Sequence, residues 1–156
     1  MGHQPTIQPY SPELAGEWDD LVLNHSANGN LFHTRRFLSY HPAGRFEDGS
    51  ILIRINGRLV AVVAANKTEN GWFSHGGTSC GGPVVRKQDF GVRTVQAILE
   101  MVREHYEGRL SLRLCEPVLV KSSNDLLLYL LNESYTIQPE ISAYKHLAEI
   151  VDFVES

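Results

Sequence analysis

The hydrophobic positions of the chain change period several times, and each change marks an element. Thr6-Ile7-Gln8-Pro9-Tyr10 predicts a short edge strand, where proline is tolerated. Ser11-Pro12-Glu13-Leu14 starts a helix, with Ser11 as N-cap, Pro12 at the first position and Glu13 at the positive end of the dipole. Leu14, Trp18, Leu21 and Val22 keep helical spacing and carry that helix to about Asn24. After the loop Ser26-Ala27-Asn28-Gly29-Asn30, Thr34 to Tyr40 predicts a short second helix. Thr34 lies near its cap, Phe37, Leu38 and Tyr40 form its apolar side, and Pro42 stops it. Gly44 to Gly49 then returns the chain to the sheet.

Two runs of strand character, Ser50 to Ile55 and Arg58 to Ala65, flank Asn56-Gly57, the strongest short-range hairpin signal. Asn70-Gly71 turns the second run into Trp72-Phe73-Ser74, so the meander gains a third strand. Past Pro83-Val84-Val85, the positions Val92, Val95, Ile98, Leu99, Val102 and Tyr106 form a helical stripe closed by Gly108, the longest helix expected here. Leu110 to Cys115 alternates as a strand, Asn124 to Asn132 reads as a leucine-rich helix, and Tyr135-Thr136-Ile137 and Leu147 to Val151 are expected as closing strands. There is no internal repeat, low-complexity stretch or linker.

Between the strand ending at Ser74 and the one at Val84 lies Ser74-His75-Gly76-Gly77-Thr78-Ser79-Cys80-Gly81-Gly82, with four glycines in nine residues. So little side chain brings backbone amides within reach of a ligand. The flanking hydroxyls, imidazole and thiol add further donors. The segment reads as a binding edge in the middle of a sheet.

Composition narrows the class. With 156 residues, 42% hydrophobic and 21% charged, the chain fits one α+β domain spanning 1–156 with a real core. A net charge of −4 gives no global basic field for DNA or an anionic membrane, although Arg35-Arg36 and Arg86-Lys87 with Arg93 leave room for local basic faces. No apolar run approaches the ~20 residues of a membrane span, and the N-terminus lacks a signal peptide's apolar region. Two cysteines, Cys80 and Cys115, without a secretion signal point to a cytoplasmic protein with reduced thiols.

The element order is strand, helix, helix, three antiparallel strands, helix, strand, helix, strand, strand. It resembles the GNAT acyltransferase fold: a mixed, mostly antiparallel central sheet with helices on both faces. Three stretches are more specific: Asn28-Gly29-Asn30-Leu31-Phe32-His33-Thr34-Arg35-Arg36-Phe37-Leu38-Ser39-Tyr40-His41, then Asn56-Gly57-Arg58-Leu59-Val60-Ala61, then Ser74-His75-Gly76-Gly77 with Gly81-Gly82. These resemble the Fem-type branch, the peptidoglycan bridge-forming aminoacyltransferases and their relatives. The motifs cover roughly residues 17 to 115; the rest is matched by topology only. Fem-type proteins carry two such domains in tandem, so the resemblance implies a lone half or a piece of something longer, with a second GNAT-like domain or a homodimer as partner. It also implies transfer of an acyl or aminoacyl group to an amine acceptor such as an amino sugar or cell-wall precursor. The donor would be acyl-CoA or aminoacyl-tRNA, with no covalently bound cofactor. The alternative is a non-catalytic half that holds substrate while another domain supplies the donor site.

Acyl transfer to an amine needs a base, oxyanion donors and a cradle for the donor's phosphates. His75 is the base candidate, since imidazole titrates near neutrality, but beside Trp72 and Phe73 it can equally be a neutral strand residue. Cys80 could act as a nucleophile partnered by His75, though an inert buried thiol is the more ordinary outcome. The expected substrate contacts are Asn30, His33, Thr34 and Arg35, near a helix start suited to an anion, and Ser74, Gly76, Gly77, Ser79 and Gly81 in the glycine segment. In the GNAT fold a Gln/Arg-x-x-Gly-x-Gly/Ala turn cradles the coenzyme's pyrophosphate. Here the matching place reads Gln88-Asp89-Phe90-Gly91-Val92-Arg93, so Gln88 and Gly91 fit while Arg93 replaces the small residue. Asp89 as a plain helix N-cap is the competing reading. His25, His33 and His41 are evenly spaced but cross a loop and two helices, so no metal site is expected.

Overall fold

The computed structural model describes residues 4–116, 119, 125–133 and 135–139. Its elements are β1 (Pro5–Pro9), α1 (Ala15–Asp20), α2 (Arg35–Leu38), β2 (Ile51–Ile55), β3 (Arg58–Val63), β4 (Asn66–Thr68), β5 (Gly71–Ser74), β6 (Val84–Val85), α3 (Val92–His105), β7 (Leu110–Leu112) and α4 (Asp125–Leu131). Strands β1-β2-β3-β6 form one antiparallel sheet; β4-β5-β7 form a second, in which β5 and β7 are parallel. The fold is α+β. No helix among the described residues is long and apolar enough to cross a membrane.

Asn56 and Gly57, at φ 54° and 75°, make the tight turn between β2 and β3, as a two-residue hairpin with both central residues left-handed requires. Alternation along β2 then splits the core. Ile51 and Ile53 face α3 and α4 with Val95, Ile98, Leu99, Val102 and Leu127, whereas Leu52 faces Trp18, Leu21, Val22 and Leu38. Helices therefore cover both faces of the first sheet. Ile53 pairs with Ala61 but Arg54 pairs with Leu59, so Val60 is an extra residue that bulges β3. Arg54, on the α1 face, donates to both carboxylate oxygens of Glu17 at 2.7 and 2.6 Å and to Gln8 at 2.9 Å, tying β2 to α1 and β1.

The first helix begins at Ser11 as expected, but as a 3₁₀ turn over Pro12–Leu14, and it ends as a π-helical turn over Leu21–His25. The second covers only Arg35–Leu38, preceded by a 3₁₀ turn at Leu31–His33. Gly108, at φ 67°, closes α3 as the stripe predicts, its N–H reaching Arg103 O at 2.8 Å. Tyr135–Ile137 is not a strand. The chain turns back off α4, with Tyr135 N–H bonded to Leu131 O at 2.8 Å, and exposed Thr136 and Ile137 have no buried face to pair against. The expected strand Leu147–Val151 lies outside the described residues.

The glycine segment is not a sheet edge either: it is a loop carrying the chain from β5 to β6. Gly81 crosses so close to β5 that a Cβ there would lie 1.5 Å from Ser74 O, and it meets Leu114 in an isolated parallel bridge. Glycine is required by this approach of two backbones. Gly81→Ala is therefore expected to lower the unfolding free energy by more than about 2 kcal/mol. Gly16→Ala, in α1 with nothing within 4 Å, is expected to raise it by up to about 1 kcal/mol. Urea denaturation measures both, and similar values for the two variants would contradict the crowding at Gly81.

Candidate functional site

Three short segments converge on one small cleft. The two ends of α2 and the turn after it supply Arg35, Leu38, His41 and Pro42, the loop before β2 supplies Phe46 and Asp48, and the start of the glycine segment supplies His75. The cleft measures about 110 Å³. The loop before β2 is held down at Gly49, whose carbonyl accepts from Tyr106 Oη at 2.7 Å, and Trp72 packs so tightly on Gly49 that a side chain there would enter its ring. Phe46 stands edge-on between the two imidazoles, its centroid 5.3 Å from that of His41 and 4.8 Å from that of His75.

The two imidazoles grip one residue, Gly77, from both sides. His75 Nδ1 accepts from Gly77 N–H at 3.0 Å, while His41 Nε2 bonds Gly77 O at 2.7 Å. His41 Nδ1 in turn lies 3.2 Å from Arg45 Nη1. The network fixes both tautomers: neutral His75 carries its proton on Nε2 and presents an N–H, and both nitrogens of His41 are engaged. Burial pushes His75 down to about 4; Arg35 and His41 reinforce the shift and Asp48 opposes it. His75 is thus an uncharged donor at neutral pH, and its Nδ1 lone pair is already shared.

Arg35 does not wait for a ligand. Its guanidinium donates to Ser50 Oγ at 2.9 Å, pairs with Asp48, and stacks 3.7 Å from the Tyr10 ring centroid. Burial works against the charge of Asp48, but hydrogen bonding from Ser50 and the Arg35 charge overcome it and hold the carboxyl below its usual range. The anion expected at the α2 start is also already there: Asp19 Oδ1 accepts from Arg35 N–H at 2.6 Å and Oδ2 from Arg36 N–H at 3.1 Å, while Thr34 Oγ1 takes Phe37 N–H at 3.0 Å. The protein fills this helix start with its own carboxylate.

Asn30, His33, Thr34, Ser74 and Gly81 gather in a separate knot. Asn30 Oδ1 caps the Leu31–His33 turn by accepting from Phe32 N–H at 2.9 Å, and its Nδ2 donates to Leu119 O at 2.8 Å. Buried His33 accepts from Asn30 N–H at 3.1 Å and is hydrogen-bonded to the Gly81 backbone; burial nevertheless pushes it down to about 4. Thr34 and Ser74 are buried, Ser74 Oγ taking Arg113 N–H at 3.1 Å. Cys80 and Cys115 are joined as a disulfide, which replaces the expected reduced thiols and removes Cys80 as a nucleophile. The two flank the Gly81–Leu114 bridge, Cys80 before Gly81 and Cys115 after Leu114, a pairing their separation of 35 residues hid. Gly76 N–H binds Asn66 Oδ1 at 2.6 Å, and Ser79 is exposed.

Gln88, Gly91 and Arg93 lie elsewhere. Asp89 is bonded to both Arg58 terminal nitrogens, at 2.8 and 2.9 Å, so it is not the N-cap of α3; Gly91 is, without side-chain capping. Arg58 follows the hairpin at one end of β2, and Asp48 precedes the other end. The five residues of β2, at ~3.3 Å each, put about 15 Å between the turn and the cleft. A Cβ at Gly91 would meet nothing within 4 Å, Gln88 and Arg93 are exposed, and the hollow beside Arg93 is lined by Pro5, Ile55, Ala97, Ile98 and Met101. Comparison with family models, with curated proteins and with solved structures gives no match to this chain.

Of the residues singled out from sequence, the cleft unites Arg35 and His75, with Gly77 gripped between His41 and His75. Phe46 and Asp48 were missed: they sit in an irregular loop without periodicity, and the one available signal was an acidic residue two positions before the strand run at Ser50.

Two consequences are measurable. Arg35→Ala strands Asp48 and uncovers Tyr10, and is expected to cost about 2 kcal/mol; Arg35→Lys should recover less than half of that in urea denaturation. His33 and His75 are neutral in the fold down to about 4 and titrate near 6.5 once unfolded. The unfolded chain therefore binds more protons between these values, so their stabilisation is complete above pH 6.5 and lost as pH falls towards 4. His33→Gln is expected to flatten this acid limb by about one proton; an unchanged slope would mean that His33 is charged in the fold.

Proposed function

We propose that this chain is a GNAT-like, Fem-type half domain whose cleft holds the amine-bearing end of a small acceptor, such as an amino sugar or cell-wall precursor, without performing the transfer itself. The carrying observation is that neither imidazole has a free lone pair: His75 Nδ1 is taken by Gly77 and His41 Nδ1 by Arg45. An amine's proton then has no base of suitable strength to go to. What the cleft offers is recognition: an ionised Asp48 for an ammonium, the Phe46 ring beside it, and the His75 Nε2–H for a neighbouring oxygen. The antiparallel β1-β2-β3-β6 order, followed by the crossover through α3 to the parallel Gly81–Leu114 bridge, supports the fold assignment.

A second reading, an N-acyltransferase drawing on acyl-CoA or aminoacyl-tRNA, is favoured by the start of α3, where no side chain caps the helix and Arg93 is exposed. In that case a partner domain or second copy would supply the base. Calorimetric titration separates the two. Glucosamine is expected to bind the native chain and to lose at least tenfold in affinity in Asp48→Asn, with acetyl-CoA showing no saturable binding. Micromolar acetyl-CoA binding would favour the transferase, and glucosamine binding untouched by Asp48→Asn would remove the cleft from either reading.

A further inference from the structure

The disulfide sits at the junction of the two sheets. Cys80 precedes Gly81 and Cys115 follows Leu114, the two residues of the isolated bridge; there Gly81 N–H reaches Arg113 O at 2.7 Å. From Cys80 a run of short bonds leads back to the cleft. Cys80 N–H donates to Thr78 Oγ1 at 3.1 Å, Thr78 N–H to His75 O at 3.1 Å, and Gly77 N–H to His75 Nδ1 at 3.0 Å. Residues 75–80 have no regular secondary structure; they are tethered at one end by the sulfur bridge and at the other by the imidazoles of His41 and His75.

Asn30 adds an observation that a mere staple does not need. Its Nδ2 lies 3.1 Å from Cys115 Sγ and 3.9 Å from Cys80 Sγ, so a donor already faces the sulfur on which a thiolate would form. A hydrogen bond to a departing thiolate stabilises it, and a better leaving thiolate speeds exchange.

We infer that the Cys80–Cys115 bond is a redox clasp on the glycine segment: a dithiol reductant opens it, freeing residues 76–80 and with them the orientation of His75, while the Gly81 crossing and the remaining fold stay intact. The thiolate of the dithiol attacks Cys80 Sγ, the S–S bond breaks, and its electron pair leaves on Cys115 Sγ facing Asn30. The second thiol of the reductant then attacks the mixed disulfide and releases Cys80. The protein gains two electrons and two protons, and the dithiol becomes a disulfide. Both cysteines are buried, so attack follows a local opening of the segment, whose Gly76 and Ser79 are exposed. The clasp does not rest on what the cleft binds.

The test is hydrogen exchange with mass spectrometry on the full chain, with and without dithiothreitol at neutral pH, alongside alkylation of free thiols. Under native conditions both cysteines are expected to become alkylated, with exchange at 76–80 at least tenfold faster and α3 still protected. Asn30→Asp, which keeps the cap oxygen and loses the Nδ2 donor, is expected to slow reduction at least fivefold. Resistance to reduction until global unfolding, loss of α3 protection together with the segment, or reduction without faster exchange at 76–80 would each overturn the clasp. A reduction rate unchanged by Asn30→Asp would remove Asn30 from it.

Discussion

Much of this molecule depends on two backbones passing closer than any side chain allows. Because Gly81 has no Cβ, it can lie against the Ser74 carbonyl, and its N–H can then reach Arg113 and join the two sheets. Ser74 is the last residue of β5 and His75 the next, so the crossing that fixes Ser74 also fixes where His75 enters the cleft. Gly49 against the Trp72 ring is a second close approach, of backbone on indole, and it holds the loop that carries Phe46 and Asp48. The cleft is positioned by the absence of side chains at two places, neither of which lines it.

Its electrostatics are internally satisfied to an unusual degree. Arg35 meets Asp48, Asp19 meets the first amides of α2, and each imidazole is held by a neighbour. Low local polarity makes such pairs costly to break singly, because the abandoned partner stays behind without water to replace what it lost. A ligand must therefore add to these bonds rather than exchange for them.

The legible parts of the fold were those governed by local rules. Asn56-Gly57 announced its hairpin because only a left-handed pair makes that turn, and α3 announced itself through a stripe that buries Val95, Ile98, Leu99 and Val102. The candidate site was legible only in part. His75 and Arg35 stood out by residue type, but Asp48, the partner that decides what Arg35 does, lies 13 residues away in a loop. The glycine segment was conspicuous for a different reason than its sequence implied, since the glycine at 81 serves a backbone crossing. Whether two cysteines meet is settled by the parallel pairing of β5 with β7 and the Gly81–Leu114 bridge beyond it, which no local pattern encodes.

The Asp19 carboxylate also has a meaning for how the chain acquires order. A helix of only four residues cannot repay the entropy of its own first turn. Here two of the amides left over at its start are satisfied from α1, 16 and 17 positions earlier in the chain. The helix that carries Arg35 thus leans on its predecessor for two of its first amides, so a change at Asp19 in α1, which does not line the cleft, would reach the cleft wall through α2.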